Sequence, residues 1–170
     1  MITYAAIPNP LFGYKQMFEA LELVDNAFAT GYFKKHLDEI ECAWIALDGD
    51  KVVGWAAVCV ERNVPTLAAP ANSNVGLLKC IVVHPDYRGK GIGIRLTEER
   101  LKYLEKDCLL IWSYAWVRPN GECMSCKNLE NFGFRLHKEL DDYYNNRQAC
   151  KYCGSNCKCV ARQYVKTNQR

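Results

Sequence analysis

Long apolar runs are missing from this sequence. The longest, Val52 to Val60, is far too short for a membrane helix. No apolar segment follows Met1, and the first basic residue is Lys15, so no signal peptide is expected. Internal repeats and low-complexity linkers are absent too. Histidine is scarce at 3 residues, and charge is nearly balanced, with a net of +3 over 170 residues. That small excess does not by itself argue for nucleic acid. Its placement is uneven: residues 150–170 hold five basic side chains and no acid, while residues 1–149 hold 17 basic and 19 acidic groups. A basic tail of that kind can touch phosphates, but metal-bound thiolates in the same stretch would cancel part of its charge. With 49% apolar and 24% charged residues, the composition is ordinary for a globular chain and argues against disorder, collagen and coiled coil. One domain spanning 1–170 is expected, large enough to hide roughly 70% of its unfolded surface.

Cysteine is the exception to this scarcity, with 10 residues. Without an export signal, and with a core large enough to need no staples, disulfides are not the expected use. Cys42, Cys59, Cys80 and Cys108 stand alone in apolar stretches and read as buried small hydrophobes. The rest fall between residues 123 and 159, which points to metal in a reducing compartment and hence to a cytoplasmic protein.

Periodicity predicts the elements. Met17, Leu21, Val24 and Phe28 form one apolar stripe of a helix over 14–30, and 32–40 reads as a second, short helix. Strands are expected over 2–6, 42–47 and 51–61, the last two around the Asp48-Gly49-Asp50 turn. Two prolines and several small residues predict a loop over 62–73. An apolar strand over 74–83 leads into a helix over 91–106 and a strand over 109–117. A short helix is expected over 122–132 with Gly133 as its C-cap, then strands over 134–144 and 160–166. Hairpins mixed with βαβ crossings imply an α/β (α+β) fold: one mixed central sheet flanked by helices.

The most informative segment runs from Cys80 to Gly93. A buried strand enters a proline turn, then a basic glycine-rich loop, then a helix. Glycines let the backbone approach an anion, and helix N-terminal N–H groups point at it. The Walker loop fails because Gly91, not Ser or Thr, follows Lys90, and the Rossmann fingerprint fails because the glycines stand at 89, 91 and 93.

Arg88-x-x-Gly91-x-Gly93, after Val83-His84-Pro85, resembles the acyl-CoA-binding motif of the GNAT N-acetyltransferases. Asn128-Leu129-Glu130-Asn131-Phe132-Gly133-Phe134 is similar to that family's late helix ending in Gly-Phe. The resemblance implies the GNAT acyl-CoA N-acyltransferase fold and an acetyl-CoA co-substrate. It implies pantetheine contacts from the backbone of Ile81 and Val83, with the thioester carbonyl near the Ile81 N–H. It implies a pyrophosphate held by Arg88, Gly89, Lys90, Gly91, Ile92 and Gly93. Two departures stand out. The family's usual tyrosine acid falls at Leu129, and the glutamate base of histone-type members falls at Leu77. Tyr114, Glu122, Ser125 and Tyr143 are possible substitutes, and no catalytic residue is assigned. His84 reads as a structural residue of the turn; His36 and His137 carry no signal.

Cys150-x-x-Cys153-Gly154-x-x-Cys157-x-Cys159 is the second strong motif. Four thiolates at short loop spacing suit a structural zinc tetrahedron, and the glycine lets backbone N–H groups turn toward sulfur. A competing ligand set joins Cys123, Cys126, Cys150 and Cys153. Cys123 and Cys126, expected on one face of the short helix, can also form a redox pair. In the family the loop between the last two strands, here around 150–159, borders the acceptor site. The expected activity is acetyl transfer to an amine, small molecule or peptide, with no membrane partner and little call for nucleic acid. The alternative is a binding module in which the zinc loop and basic tail dock protein or nucleic acid.

Overall fold

The structure is a computed structural model, and it describes residues 1–8, 16–27, 37–66, 69–141, 143–144, 150, 153–154 and 156–168. Its elements in chain order are β1 (Ile2–Pro8), α1 (Gln16–Ala27), β2 (Cys42–Asp48), β3 (Lys51–Thr66), β4 (Ala69–Val83), α2 (Ile92–Leu104), β5 (Cys108–Val117), α3 (Cys126–Asn131), β6 (Arg135–Leu140) and β7 (Val160–Thr167). Single 3-10 turns stand at Leu37–Glu39 and Pro85–Tyr87. The strands form one sheet in the order β1-β2-β3-β4-β5-β7-β6. Only the β4–β5 pair is parallel, because α2 carries the chain back across the sheet between them. The mixed sheet expected from the sequence is therefore present.

Strand alternation gives the sheet two apolar faces. On β2, Trp44 and Ala46 join the cluster under α2 and α3, while Ala43 and Ile45 join the cluster under α1. Met17, Ala20 and Val24 hold α1 to its face, and Ile92, Leu96, Leu101 and Leu104 hold α2 to the other. α2 presses close to the sheet at two glycines: a Cβ at Gly76 would meet Leu104 Cδ1 at 2.9 Å, and one at Gly54 would meet Ile92 Cγ2 at 3.1 Å and Leu96 Cδ1 at 3.2 Å. Leu96 is fully buried, so Leu96→Ala should cost about 3 kcal/mol and lower the melting temperature by about 10 °C. A loss of only a degree or two would mean that α2 contributes little to the core.

Several expectations need correction. The segment 62–73 is not a loop. β3 continues to Thr66 and β4 begins at Ala69, with Val64 opposite Ser73. β2 pairs β3 only as far as Val58, and β5 pairs β4 only from Asn74, so among the described residues this ribbon has no strand paired on either outer edge. Edge positions tolerate the missing donor of a proline, and the register shifts repeatedly there. α3 begins at Cys126 rather than 122; Asn120 Oδ1 accepts from the Glu122 N–H at 3.0 Å and holds a turn instead. β6 ends at Leu140. Most of the second helix expected over 32–40, together with Phe28 and His36, lies outside the described residues, and Leu37–Glu39 is a 3-10 turn. Among the described residues no helix is long and apolar enough to cross a membrane.

Candidate active site

The site begins where β4 and β5 part. Their parallel pairing runs from Asn74–Cys108 to Leu78–Ser113 and stops, yet β4 continues to Val83 and β5 to Val117. A bulge starts the divergence: Val58 of β3 faces Leu78, Ala57 faces Cys80, and Lys79 is the extra residue. Lys79 is held by Glu39, Nζ to Oε2 at 2.6 Å. Beyond the bulge β4 stays paired with β3 through Val83, and the His84 N–H donates to the Val53 carbonyl at 2.9 Å. Backbone groups alternate along a strand. Cys80, Val82 and His84 therefore turn theirs toward β3, and Ile81 and Val83 turn theirs into the wedge.

The turn after β4 is held by its own residues. His84 Nδ1 accepts from the Asp86 N–H at 3.3 Å, and the Tyr87 N–H donates to the His84 carbonyl at 2.9 Å. This is the structural role expected of His84. Gly89 and Gly91 have φ of +74° and +78°, the left-handed region that side chains resist. Gly91 is the N-cap of α2 and offers no capping side chain, so the first N–H groups of the helix are left for another acceptor. A Cβ at Gly93 would stand 3.8 Å from both Ile81 and Val83. The helix start thus lies directly against the end of the strand; Arg88, Gly89, Lys90 and Gly91 are exposed, Ile81, Val83 and Gly93 are half-buried, and Ile92 is buried in the core.

The two cations of the turn make specific contacts. Arg88 Nε donates to the Val83 carbonyl at 3.2 Å, taking one of the backbone groups in the wedge. Lys90 Nζ lies 4.7 Å from the centre of the Tyr87 ring, and Lys51 Nζ lies 5.6 Å from it. The Tyr87 hydroxyl donates to Asp48 at 2.9 Å. Lys51 was not expected here. It opens a hairpin strand distant in sequence, and no local pattern ties it to the turn. Arg100 of α2 was also missed; it donates to the Cys80 carbonyl at 3.1 Å. Its spacing from Ile92, Leu96 and Leu104 placed it on the buried stripe, and that signal was legible.

Leu129 is buried in the core below α3, and Leu77 packs toward the α1 face. Of the possible substitutes, Glu122 is paired with Arg118 at 2.6 Å, and Ser125 stands just before α3. Tyr114 follows the last residue of β5 that pairs with β4, so it borders the wedge. Its hydroxyl accepts from Gln163 Nε2 at 2.8 Å, and its ring stacks on Tyr143 at 5.2 Å. An aromatic row extends from there: Tyr143 meets Tyr144 at 5.0 Å, Tyr144 meets Trp116 at 5.9 Å, and His137 lies edge-on to Trp112 at 5.4 Å.

Trp116 and Tyr144 also pack against Cys150, Cys157 and Cys159. The thiols of Cys150, Cys153, Cys157 and Cys159 lie within 4.8 Å of one another. Cys150 to Cys159 and Cys153 to Cys159 are each 3.8 Å. A tetrahedron of thiolates at about 2.3 Å from zinc has edges of about 3.8 Å, so the donor set fits that ion. Cys150 and Gly154 exchange both backbone bonds, at 3.1 and 2.8 Å, and Gly154 has φ of +68°. The competing ligand set is not brought together. Cys123 and Cys126 form a disulfide with each other and lie against the main core; Cys123 precedes α3 rather than sharing its face. Two of the five basic residues of the tail are paired within the fold, and Lys158 is exposed. Arg162 pairs with Glu139 at 2.5 Å and Lys166 with Glu105 at 2.6 Å, while Lys151 and Arg170 lie outside the described residues.

Residues 11–134 match the model of the acetyltransferase (GNAT) family. The chain belongs to that family. It is an acetyltransferase, and its strand split, glycine turn and mixed sheet are those of a GNAT fold. Solved GNAT structures agree. NAA60 of Arabidopsis thaliana, in complex with a bisubstrate analogue, is 14% identical with a TM-score of 0.70 and 98% of each chain covered. The ribosomal-protein-S18-alanine N-acetyltransferase of Escherichia coli is 16% identical, with a TM-score of 0.67, covering 100% of this chain and 96% of that one. A GNAT family acetyltransferase of Elizabethkingia anophelis with acetyl-CoA bound is 15% identical, with a TM-score of 0.68, covering 98% and 97%. No curated protein matches the chain in sequence.

Proposed function

We propose that this GNAT protein moves the acetyl group of acetyl-CoA onto an amine. The observation that carries the reading is the wedge between β4 and β5, which opens onto the glycine turn and the uncapped start of α2. The pantetheine arm lies in the wedge against Ile81 and Val83. The pyrophosphate lies on Gly89 through Gly93, with Arg88 and Lys90 beside it. The amine nitrogen attacks the thioester carbon; the C–N bond forms and the C–S bond breaks. The Ile81 N–H holds the oxygen as it gains charge. The departing sulfur leaves as a thiolate that takes up a proton, and the amine gives its proton to water or a side chain. Tyr114 is the ionisable group that borders the wedge most directly, with its hydroxyl already held by Gln163.

The whole chain, 1–170, forms one GNAT domain, and residues 150–159 are its zinc loop. Burial pushes the Cys159 thiol up to about 12 and raises Cys157, so both stay protonated at neutral pH without a metal, and a metal must displace their protons to bind. Four thiolates leave zinc no open position, so its role is to hold the loop and the aromatic row beside the acceptor. The ion pairs of Arg162 and Lys166 count against the nucleic-acid docking alternative.

A melting series tests the reading. Acetyl-CoA at about one hundred times its dissociation constant should add about 2.7 kcal/mol and raise the melting temperature by about 5–10 °C. CoA should do nearly as well, and duplex DNA or RNA should do nothing. A shift with nucleic acid alone would replace this reading with the binding module. Release of CoA on addition of a panel of amines, antibiotics and peptides then identifies the acceptor.

A further inference from the structure

Arg100 is a cation in the wrong place for stability. It lies on α2 with 3% of its surface exposed, and no carboxylate pairs with it among the described residues. Burying an unpaired charge is strongly unfavourable. Burial pulls its pKa down to about 10, which leaves it cationic at neutral pH. The adjacent Cys80 thiol is no counter-ion, because burial pushes it up to about 12. A hydrophobic side chain would fill this position on the buried stripe at lower cost.

The guanidinium is held so that it serves one carbonyl. Nη2 donates to Thr97 Oγ1 at 3.1 Å, and Thr97 Oγ1 donates in turn to the Gly93 carbonyl at 2.8 Å. Nη1 donates to the Cys80 carbonyl at 3.1 Å. Nε is buried and meets no acceptor among the described residues.

The Cys80 carbonyl and the Ile81 N–H belong to the same peptide unit. In a planar trans peptide they point in opposite directions. Strand alternation agrees: Cys80 faces β3, and Ile81 faces the wedge. Arg100 therefore binds the inner end of a peptide whose outer end is the donor assigned to the thioester oxygen. A charged donor on an amide oxygen draws electron density away from the nitrogen and makes its N–H a stronger donor. The same bond fixes the tilt of the peptide just after the bulge.

We propose that Arg100 is a positioning residue for acetyl transfer, holding and polarising the Cys80–Ile81 peptide so that its N–H binds the thioester oxygen of acetyl-CoA more strongly as charge develops there. The proposal rests on acetyl-CoA occupying the wedge. Arg100 itself touches neither substrate nor a reacting atom, and no proton passes through it.

The test uses acetyl-CoA carrying carbon-13 at the acetyl carbonyl, bound to the full chain and observed by difference infrared spectroscopy. Affinity is measured in parallel by calorimetry. A strong donor weakens the C=O bond, so the bound band of the parent should lie below its position in buffer. In Arg100→Met most of that downshift should disappear, with affinity within about threefold of the parent. Arg100→Lys should keep part of it, since it retains charge but not the fork. Thr97→Val leaves the cation in place and removes the Nη2 acceptor; its band should move part-way toward the buffer value. That variant decides the matter if Arg100→Met does not fold. A parent-like band in folded Arg100→Met, or in Thr97→Val where that variant decides, overturns the proposal. A parent that binds acetyl-CoA with no downshift overturns it too, while the acetyl-CoA reading stands. A parent that binds no acetyl-CoA overturns both.

Discussion

Purified under reducing conditions, the protein should carry about one zinc per chain; Cys153→Ser should carry little, and Cys123→Ser nearly the full amount. The four clustered thiols already stand at spacings close to those of a zinc tetrahedron, and three of the four residues are buried. Deprotonated without a metal, they would repel one another at these distances. A closed thiolate site contributes strongly to local folding, by about 10–16 kcal/mol in peptides built around one, so replacing a single ligand should empty it. Chelation should free Trp116 and Tyr144 first, because both pack directly on the cluster. The β4–β5 wedge is set by the sheet and the bulge, so acetyl-CoA binding should outlast acceptor turnover. Metal analysis of the three proteins decides between ligand sets. Loss of zinc from both variants would bring Cys123 into the site, and a metal-free parent would overturn it.

The glycine turn was legible because its chemistry is local. Positive φ at Gly89 and Gly91 and a helix starting at Ile92 follow from neighbouring residues, and the preceding apolar run could only be a buried strand. The cysteine loop was legible for the same reason: its spacing is its geometry. What escaped depends on contacts between distant segments. Lys51 reaches the turn because β3 runs beside β4, and periodicity carries no register. The ribbon over 62–73 does not show in its proline content, because proline is tolerated on edge strands, and only the pairing shows that among the described residues both strands there are edges. The helical pattern over 122–132 overreached at its start, where the Asn120 side chain captures the Glu122 N–H and delays the helix. The missing acid at Leu129 was plain in the sequence. The aromatic row that runs from Tyr114 to Trp116 is assembled from β5 and the segment after β6, and no local pattern brings those together.

Gly91→Asp should abolish most acetyl-CoA binding while leaving the fold intact. Gly91 has φ of +78°, and no atom lies within 4 Å of where a Cβ would stand. The substitution therefore costs only left-handed strain, about 1–2 kcal/mol, and aspartate is among the residues that bear it best. Its carboxylate would sit at the start of α2, where it can accept from the same uncapped N–H groups that the pyrophosphate needs. That contact returns part of the strain energy, so the melting temperature should change little. The ligand meets a filled N-terminus and a like charge, and affinity should fall at least tenfold, about 1.4 kcal/mol. Gly91→Ala separates the two causes, since it carries the strain without the charge and should keep most of the affinity. Calorimetry with acetyl-CoA on both folded variants checks this. Parent-like binding by Gly91→Asp would place the pyrophosphate elsewhere on the molecule, whereas equal losses in both variants would mean that backbone geometry, rather than charge at the helix start, governs recognition.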